Sequence, residues 1–231
     1  MSSGQIPQLT SAQVREVDRL ATERYSIPLS WLMEAAGWQV ARHCRGRAVV
    51  LCGTGNNGGD GMAAARHLHR WGRLAGVACL DPERLRELAA QQAGVLRALG
   101  ISITSQPDFS DAQIAVDALL GTGLSRPAEG AVAGWIDSIN RSGLRVVSVD
   151  VPSGLDADTG RAAGPCVRAT TTVTLGLPKA GLLSGDGPAQ AGEVWVADIG
   201  VPLEAYADVG LQVPPHLFAM HDRFQLSAVR L

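Results

Sequence analysis

Apolar residues recur at helical spacing near the start of the chain, with Val14, Val17, Leu20 and Ala21 falling on one face of residues 10–24. Thr10, followed three positions later by Gln13, has the form of a capping box. A second helix is expected over residues 28–45, with Pro28 near its start and Gly46 beyond its end. From residue 48 the pattern changes. Short apolar runs at 48–52, 74–80, 101–104, 114–116, 146–149, 171–175 and 194–197 read as strands. Between them, residues 59–71, 82–99 and 132–140 read as helices, the second capped by Asp81 with Pro82 in its first turn. Strands alternating with helices predict a doubly wound, mainly parallel α/β sheet in three layers, preceded by a helical extension. The expectation is one domain over residues 1–231, with its core at about 10–205. The tail, with Pro214-Pro215 and little periodicity, reads as a surface-packed or mobile extension.

Composition narrows the function classes. The chain has 231 residues, 46% hydrophobic and 18% charged, which is enough apolar material for a substantial core. A net charge of −2 gives no reason to expect nucleic acid or an acidic membrane as partner. No apolar run approaches the roughly 20 residues that span a bilayer. Cys44, Cys52, Cys79 and Cys166 are widely spaced, and two lie in apolar runs, so buried free thiols are expected rather than disulfides. Met1 to Gln5 show neither a basic nor an apolar leader region, so a cytoplasmic setting is expected. Of 20 basic residues, Lys179 is the one lysine. A position that keeps lysine in so arginine-biased a chain is a candidate for a compact, titratable ammonium.

The chemistry concentrates at three predicted strand ends. After residues 48–52 comes Gly53-Thr54-Gly55-Asn56-Asn57-Gly58-Gly59-Asp60-Gly61, leading into a helix. Glycines let backbone approach a ligand, and the unpaired N–H groups of a helix start favour an anion. Gly53, Gly55 and Gly58 satisfy the dinucleotide fingerprint of Rossmann-like folds, a weak signal alone. Asp117 ends one apolar run, followed by Gly121-Thr122-Gly123-Leu124-Ser125-Arg126-Pro127. Asp150 ends another, followed by Val151-Pro152-Ser153-Gly154-Leu155-Asp156. In such sheets ligands bind beyond the carboxyl ends of the strands. Two aspartates at that edge imply a bound cation or a catalytic acid. An NAD-dependent oxidoreductase competes, with Asp81 near the ribose-binding distance. Against it, Asp60 would crowd a pyrophosphate, and Asp81-Pro82 reads as a helix cap. A non-catalytic nucleotide-binding or scaffold module is a further alternative, but it would be expected to lose the two aspartates. A P-loop is excluded, because no Gly-Lys-Ser/Thr ends the glycine loop.

The ordered set of motifs resembles the YjeF N-terminal family, the NAD(P)H-hydrate epimerases. The resemblance rests on Met33-Glu34-Ala35-Ala36-Gly37, Gly55 to Gly61, Asp117 to Gly123, Asp150 to Asp156, Leu177-Pro178-Lys179-Ala180-Gly181 and Ala197 to Pro202. It implies a small-molecule substrate, hydrated NADH or NADPH, whose R and S epimers are interconverted in nicotinamide nucleotide repair. The implied substrate contacts are Asn56, Asn57, Gly58, Gly59, Asp60, Gly121, Thr122, Gly123, Leu124, Ser125, Arg126, Pro127 and Asp150. Asp150 is the implied acid/base, with Lys179 assisting proton transfer or orienting a phosphate. It also implies a potassium ion on Asn57, Asp117 and Ser153; residue chemistry alone specifies only a hard, weakly charged oxygen site. A separate dehydratase chain is the expected pathway partner, and a homodimer is left open.

Overall fold

The computed structural model describes residues 6–123 and 126–226. Its strands are β1 (Ala48–Cys52), β2 (Leu74–Cys79), β3 (Ile103–Thr104), β4 (Ile114–Ala118), β5 (Arg145–Val149), β6 (Thr171–Leu175), β7 (Glu193–Ala197) and β8 (Arg223–Gln225). They form one sheet in the order β3-β2-β1-β4-β5-β6-β7-β8. Every pairing is parallel except β7 with β8. The helices are α1 (Ser11–Glu23), α2 (Leu29–His43), α3 (Asn56–Arg70), α4 (Glu87–Ala98), α5 (Gly130–Arg141), α6 (Gly187–Gln190) and α7 (Leu203–Asp208). Among the described residues no helix is long and apolar enough to cross a membrane.

Both faces of the sheet are covered, which explains the unbroken apolar runs. In β1, Ala48, Val50 and Cys52 join α2, α3 and α4 in one core cluster. Val49 and Leu51 point the other way, into a second cluster with Trp135, Ile136 and Ile139 of α5. The expected three-layer, doubly wound fold is therefore present. The winding reverses between β1 and β4, which lie side by side although β2 and β3 separate them in sequence. That crevice is where such sheets take ligands.

Two contacts fix the walls of the crevice. The helices α2 and α3 pack so closely at Gly37 that a Cβ there would stand 2.5 Å from Ala63 Cβ and 2.7 Å from Ala64 N. The extension is also anchored. Gln13 N donates to Thr10 Oγ1 and Thr10 N to Gln13 Oε1, completing the capping box of α1. Just before it, Leu9 N donates to Pro178 O at 2.8 Å and Ala180 N to Leu9 O at 3.1 Å. Val17 and Leu20 of α1 then pack with Leu177 and with Ala205 and Tyr206 of α7. Helix α1 is thereby held against the segment that carries Lys179.

Three expectations are corrected. The helix expected to start behind Asp81 starts at Glu87. Arg86 N donates to Thr54 O at 2.8 Å, and Arg86 stays extended with φ −71° and ψ 160°. Asp81 closes a turn instead, its carboxylate accepting from Glu83 N. The strand at 101–104 shrinks to two residues. The tail is more than an appendage: β8 closes the sheet edge beside β7.

Candidate active site

A cavity of about 490 Å³ opens at the carboxyl ends of β1, β4 and β5. One wall is residues 53–57 with Asp60, and another is Leu119 to Gly123. Asp150, Leu175 and Lys179 line it from the β5–β6 side, and α1 contributes Val14, Arg15, Val17 and Asp18. Of the expected substrate contacts, Asn56, Asn57, Asp60, Gly121, Thr122, Gly123 and Asp150 line this cavity. Gly58 and Gly59 do not; they let α3 seat tightly, for a Cβ on Gly58 would lie 2.0 Å from Gly53 O and one on Gly59 2.6 Å from Met33 Cε. Arg126 and Pro127 are exposed outside the cavity wall. Leu124 and Ser125 lie outside the described residues. Asp81, the ribose contact a dehydrogenase would need, does not line the cavity.

Asp150 follows directly on β5 and adopts φ +66°, a left-handed backbone that side chains other than glycine rarely take. The turn is held by Asp150 N donating to Val173 O and Val151 N to Val149 O, both at 2.8 Å. Its carboxylate, 8% exposed as a residue, accepts from Leu175 N at 3.1 Å and Thr174 Oγ1 at 3.3 Å. Lys179 Nζ lies 2.5 Å from Asp150 Oδ1 and also donates to Leu175 O at 2.7 Å. Lys179 is 2% exposed. The one lysine of the chain is thus the buried partner of the expected acid. A pair so enclosed needs these extra hydrogen bonds to offset its desolvation.

Asp117 is fully buried behind the cavity wall. Its Oδ2 accepts from Ser148 Oγ at 2.8 Å and Ser153 N at 2.9 Å, and its Oδ1 from Ser153 Oγ at 2.5 Å and Leu119 N at 3.4 Å. Burial still raises its pKa above the usual carboxylate value, against the pull of those bonds. Asn57 Nδ2 donates to Leu120 O at 3.0 Å, while Leu120 N donates to Ser153 Oγ at 2.9 Å. The Ser153 hydroxyl lies 2.5 Å from Asp117 Oδ1 and 3.2 Å from Leu120 O and is placed to donate to either. The three expected ligands are therefore brought together, with Leu120 O added. One carboxylate among neutral oxygens suits a monovalent hard cation. Among the described residues no group of three His, Cys, Asp or Glu side chains offers a divalent or transition-metal site.

Asp18 was not anticipated. It sits one turn after Val14 on the margin of the apolar stripe of α1, a position that sequence alone assigns to solvent. In the fold it lines the cavity with Asp60, Asp150 and Lys179. Burial, and secondarily the charge of Asp150, pushes the Asp18 carboxyl up to about 6, with Lys179 opposing. Burial, then Asp150 and Asp18, holds the Asp60 carboxyl well above the ordinary range. The four cysteines are buried and free, as expected.

The model of the family described as YjeF-related protein N-terminus matches residues 30–181. A bifunctional NAD(P)H-hydrate repair enzyme Nnr of Moorella thermoacetica is 42% identical over 86% of this chain and 41% of its own length. The chain thus spans less than half of that relative. An NAD(P)H-hydrate epimerase of Dehalogenimonas lykanthroporepellens is 37% identical over 90% of this chain and 87% of its own. Another, of Limosilactobacillus fermentum, is 40% identical over 82% of this chain and 95% of its own. The crystal structure of the yeast protein ynu0 shares the fold, with a TM-score of 0.80 and 24% identity over 96% of this chain and 100% of that one.

Proposed function

The chain belongs to the family of YjeF-related protein N-termini, and on that footing we propose that it is an NAD(P)H-hydrate epimerase, an isomerase interconverting the R and S epimers of hydrated NADH and NADPH. The observation that carries the reading is the Asp150–Lys179 pair, 2.5 Å apart and buried at the cavity wall beside the glycine-rich loops. The names of relatives that align over most of their own length support it. Epimerisation needs a positioned proton donor and acceptor in a shielded cavity. Protonating the ring hydroxyl lets water leave, and the planar cation that remains is stabilised by the ring nitrogen. Water then adds to the opposite face and loses its proton. In this reading Asp150 exchanges the proton with the hydroxyl, and Lys179 returns a proton to Asp150 along their short contact. Asn56, Asn57 and the 121–123 loop hold the nucleotide along the cavity wall that they line.

A potassium ion is part of the proposal, held by Asn57, Asp117, Ser153 and the Leu120 carbonyl. When bound, it supplies a fixed positive charge that locks the two loops together. The hydrate passes on to a dehydratase. In the Moorella relative two functions share one polypeptide by its name, so that enzyme is not assigned to a separate chain. A cytoplasmic setting is likewise proposed, supported by four free thiols. The test is to incubate the protein with the R epimer alone, in potassium buffer, and follow the S epimer by chromatography. Conversion no faster than the spontaneous rate, with folded protein, refutes the reading.

A further inference from the structure

Epimerisation imposes a demand that Asp150 alone does not meet. The departing hydroxyl and the arriving water stand on opposite faces of a planar ring, so proton transfer is required on both. Asp150 approaches from the end of β5. A second acid reaches the cavity from α1, which packs on Leu177, Ala205 and Tyr206 and is fixed through Leu9, Pro178 and Ala180. Its one acidic group lining the cavity is Asp18. Among the described residues the Asp18 carboxylate accepts no hydrogen bond and joins no ion pair. A half-buried carboxylate that makes neither is desolvated at a cost and is free to bond a ligand.

Resting on the epimerase reading above, we propose that Asp18 is the second proton-transfer residue, serving the ring face opposite Asp150. For one epimer, Asp18 in its acid form protonates the hydroxyl; the C–O bond breaks and water leaves on the α1 side. Water on the other side then bonds to the carbon and gives its proton to the Asp150 carboxylate. The reverse sequence converts the other epimer. Each turnover moves one proton from one acid to the other; as product leaves, the acid left neutral gives its proton to water and the acid left charged takes one from water, which restores both. No electron changes hands.

The titratable groups that share the cavity with Asp18 are Arg15 on its own helix, Arg86 before α4, Asp60 on α3, Asp150 after β5, Lys179 after β6 and Tyr206 on α7, the last four near enough to interact with its charge. A carboxyl near about 6 among them is able to give and take a proton close to neutrality. Asp60 is the rival acid. It rises from the first turns of α3 with Asn56 and Asn57, on the nucleotide-gripping side, and burial, with Asp150 and Asp18 adding, raises its pKa well above the ordinary carboxylate value.

The experiment uses the whole chain, with Asp18→Asn, Asp60→Asn and wild type, each epimer separately, in heavy-oxygen water. Mass spectrometry follows label entering the hydroxyl, and chromatography follows epimer conversion. Asp18→Asn is expected to lower kcat for conversion by about 10²-fold or more, with KM within a few-fold. It should still exchange the hydroxyl oxygen of one epimer with retention, through the face that Asp150 serves. Removing a destabilised carboxylate should also raise its melting temperature at neutral pH, which confirms folding. Conversion within a few-fold of wild type overturns the proposal. Equal loss of exchange and conversion in both epimers also overturns it, as does the one-sided pattern appearing in Asp60→Asn instead. An inactive wild type refutes the epimerase reading itself, a result distinct from all three.

Discussion

Adding one methyl group at Gly37 should separate the two helices that shape the site. The new Cβ would meet Ala63 Cβ at 2.5 Å, Ala63 C at 2.7 Å and Ala64 N at 2.7 Å. Two of these are backbone atoms, so no side chain can rotate away. Ordinary contact requires about 3.5–4.0 Å, so α2 and α3 must part by roughly 1 Å. Overpacking of this kind costs about 1–3 kcal/mol. Alanine returns about 0.5–1 kcal/mol by restricting the unfolded chain. Taking the middle of each range, the net expectation is a loss of about 1 kcal/mol, a few degrees in melting temperature for a chain of this size. Gly94 in α4 is the control. A Cβ there meets nothing within 4 Å, so Gly94→Ala should gain about 0.5–1 kcal/mol. Urea unfolding of both variants measures the difference. Because α3 carries Asn56, Asn57 and Asp60 in its first turns, Gly37→Ala should lose turnover as well. A Gly37→Ala variant as stable as wild type refutes the claim that this contact sets the helix spacing.

At saturating substrate Asp150→Asn should lose about 10²–10⁴-fold in turnover while keeping its fold, whereas Lys179→Arg should lose less; the reverse ranking would exchange their roles. Potassium should raise the wild-type melting temperature relative to a large organic cation, since a ligand that binds only the folded state stabilises it, and Asp117→Asn should remove that difference; an equal melting temperature in both salts counts against the site. His43 packs on Trp195 at 5.1 Å, and burial, with Arg223 and Arg42 adding, lowers its pKa to about 4. The folded state therefore resists protonation, so this contribution is whole above the unfolded value near 6.5 and is lost as pH falls from there towards 4. That amounts to roughly 3 kcal/mol at about 1.4 per pH unit. His43→Gln should flatten the acid limb of a stability–pH curve relative to wild type; identical limbs would refute it.

Much of this was legible because function here is written in loops. Glycines and carbonyl-bearing residues after β1, β4 and β5 announce themselves by spacing, and strands covered on both faces announce themselves by composition. What stayed hidden depends on partners remote in sequence. The delay of α4 to Glu87 arises from a bond between Arg86 and Thr54, and nothing near Asp81 signals it. Strand β8 is three residues, Arg223-Phe224-Gln225, whose identity as a strand comes from pairing with Trp195 to Ala197. Asp18 looked like any polar residue beside an apolar stripe. Its surroundings are supplied by Lys179, Asp150 and Asp60, which helical periodicity does not see. The solitary lysine was the better clue, since its burial against Asp150 is what an arginine, with its larger and always charged head, would not accommodate as a proton relay.

The left-handed backbone at Asp150 carries an evolutionary consequence. Glycine would occupy φ +66° with less strain than aspartate, by about 1 kcal/mol, and the backbone bonds to Val173 and Val149 would survive the change. The burial of Lys179 works the other way, since glycine at this position would leave that ammonium unpaired at a cost of about 3–5 kcal/mol. A gene copy released from the proposed chemistry is therefore expected to lose Asp150 and Lys179 together, the pair giving way to uncharged residues that keep the turn. In descendants of this fold the positions that follow β5 and β6 should therefore change as a pair rather than singly.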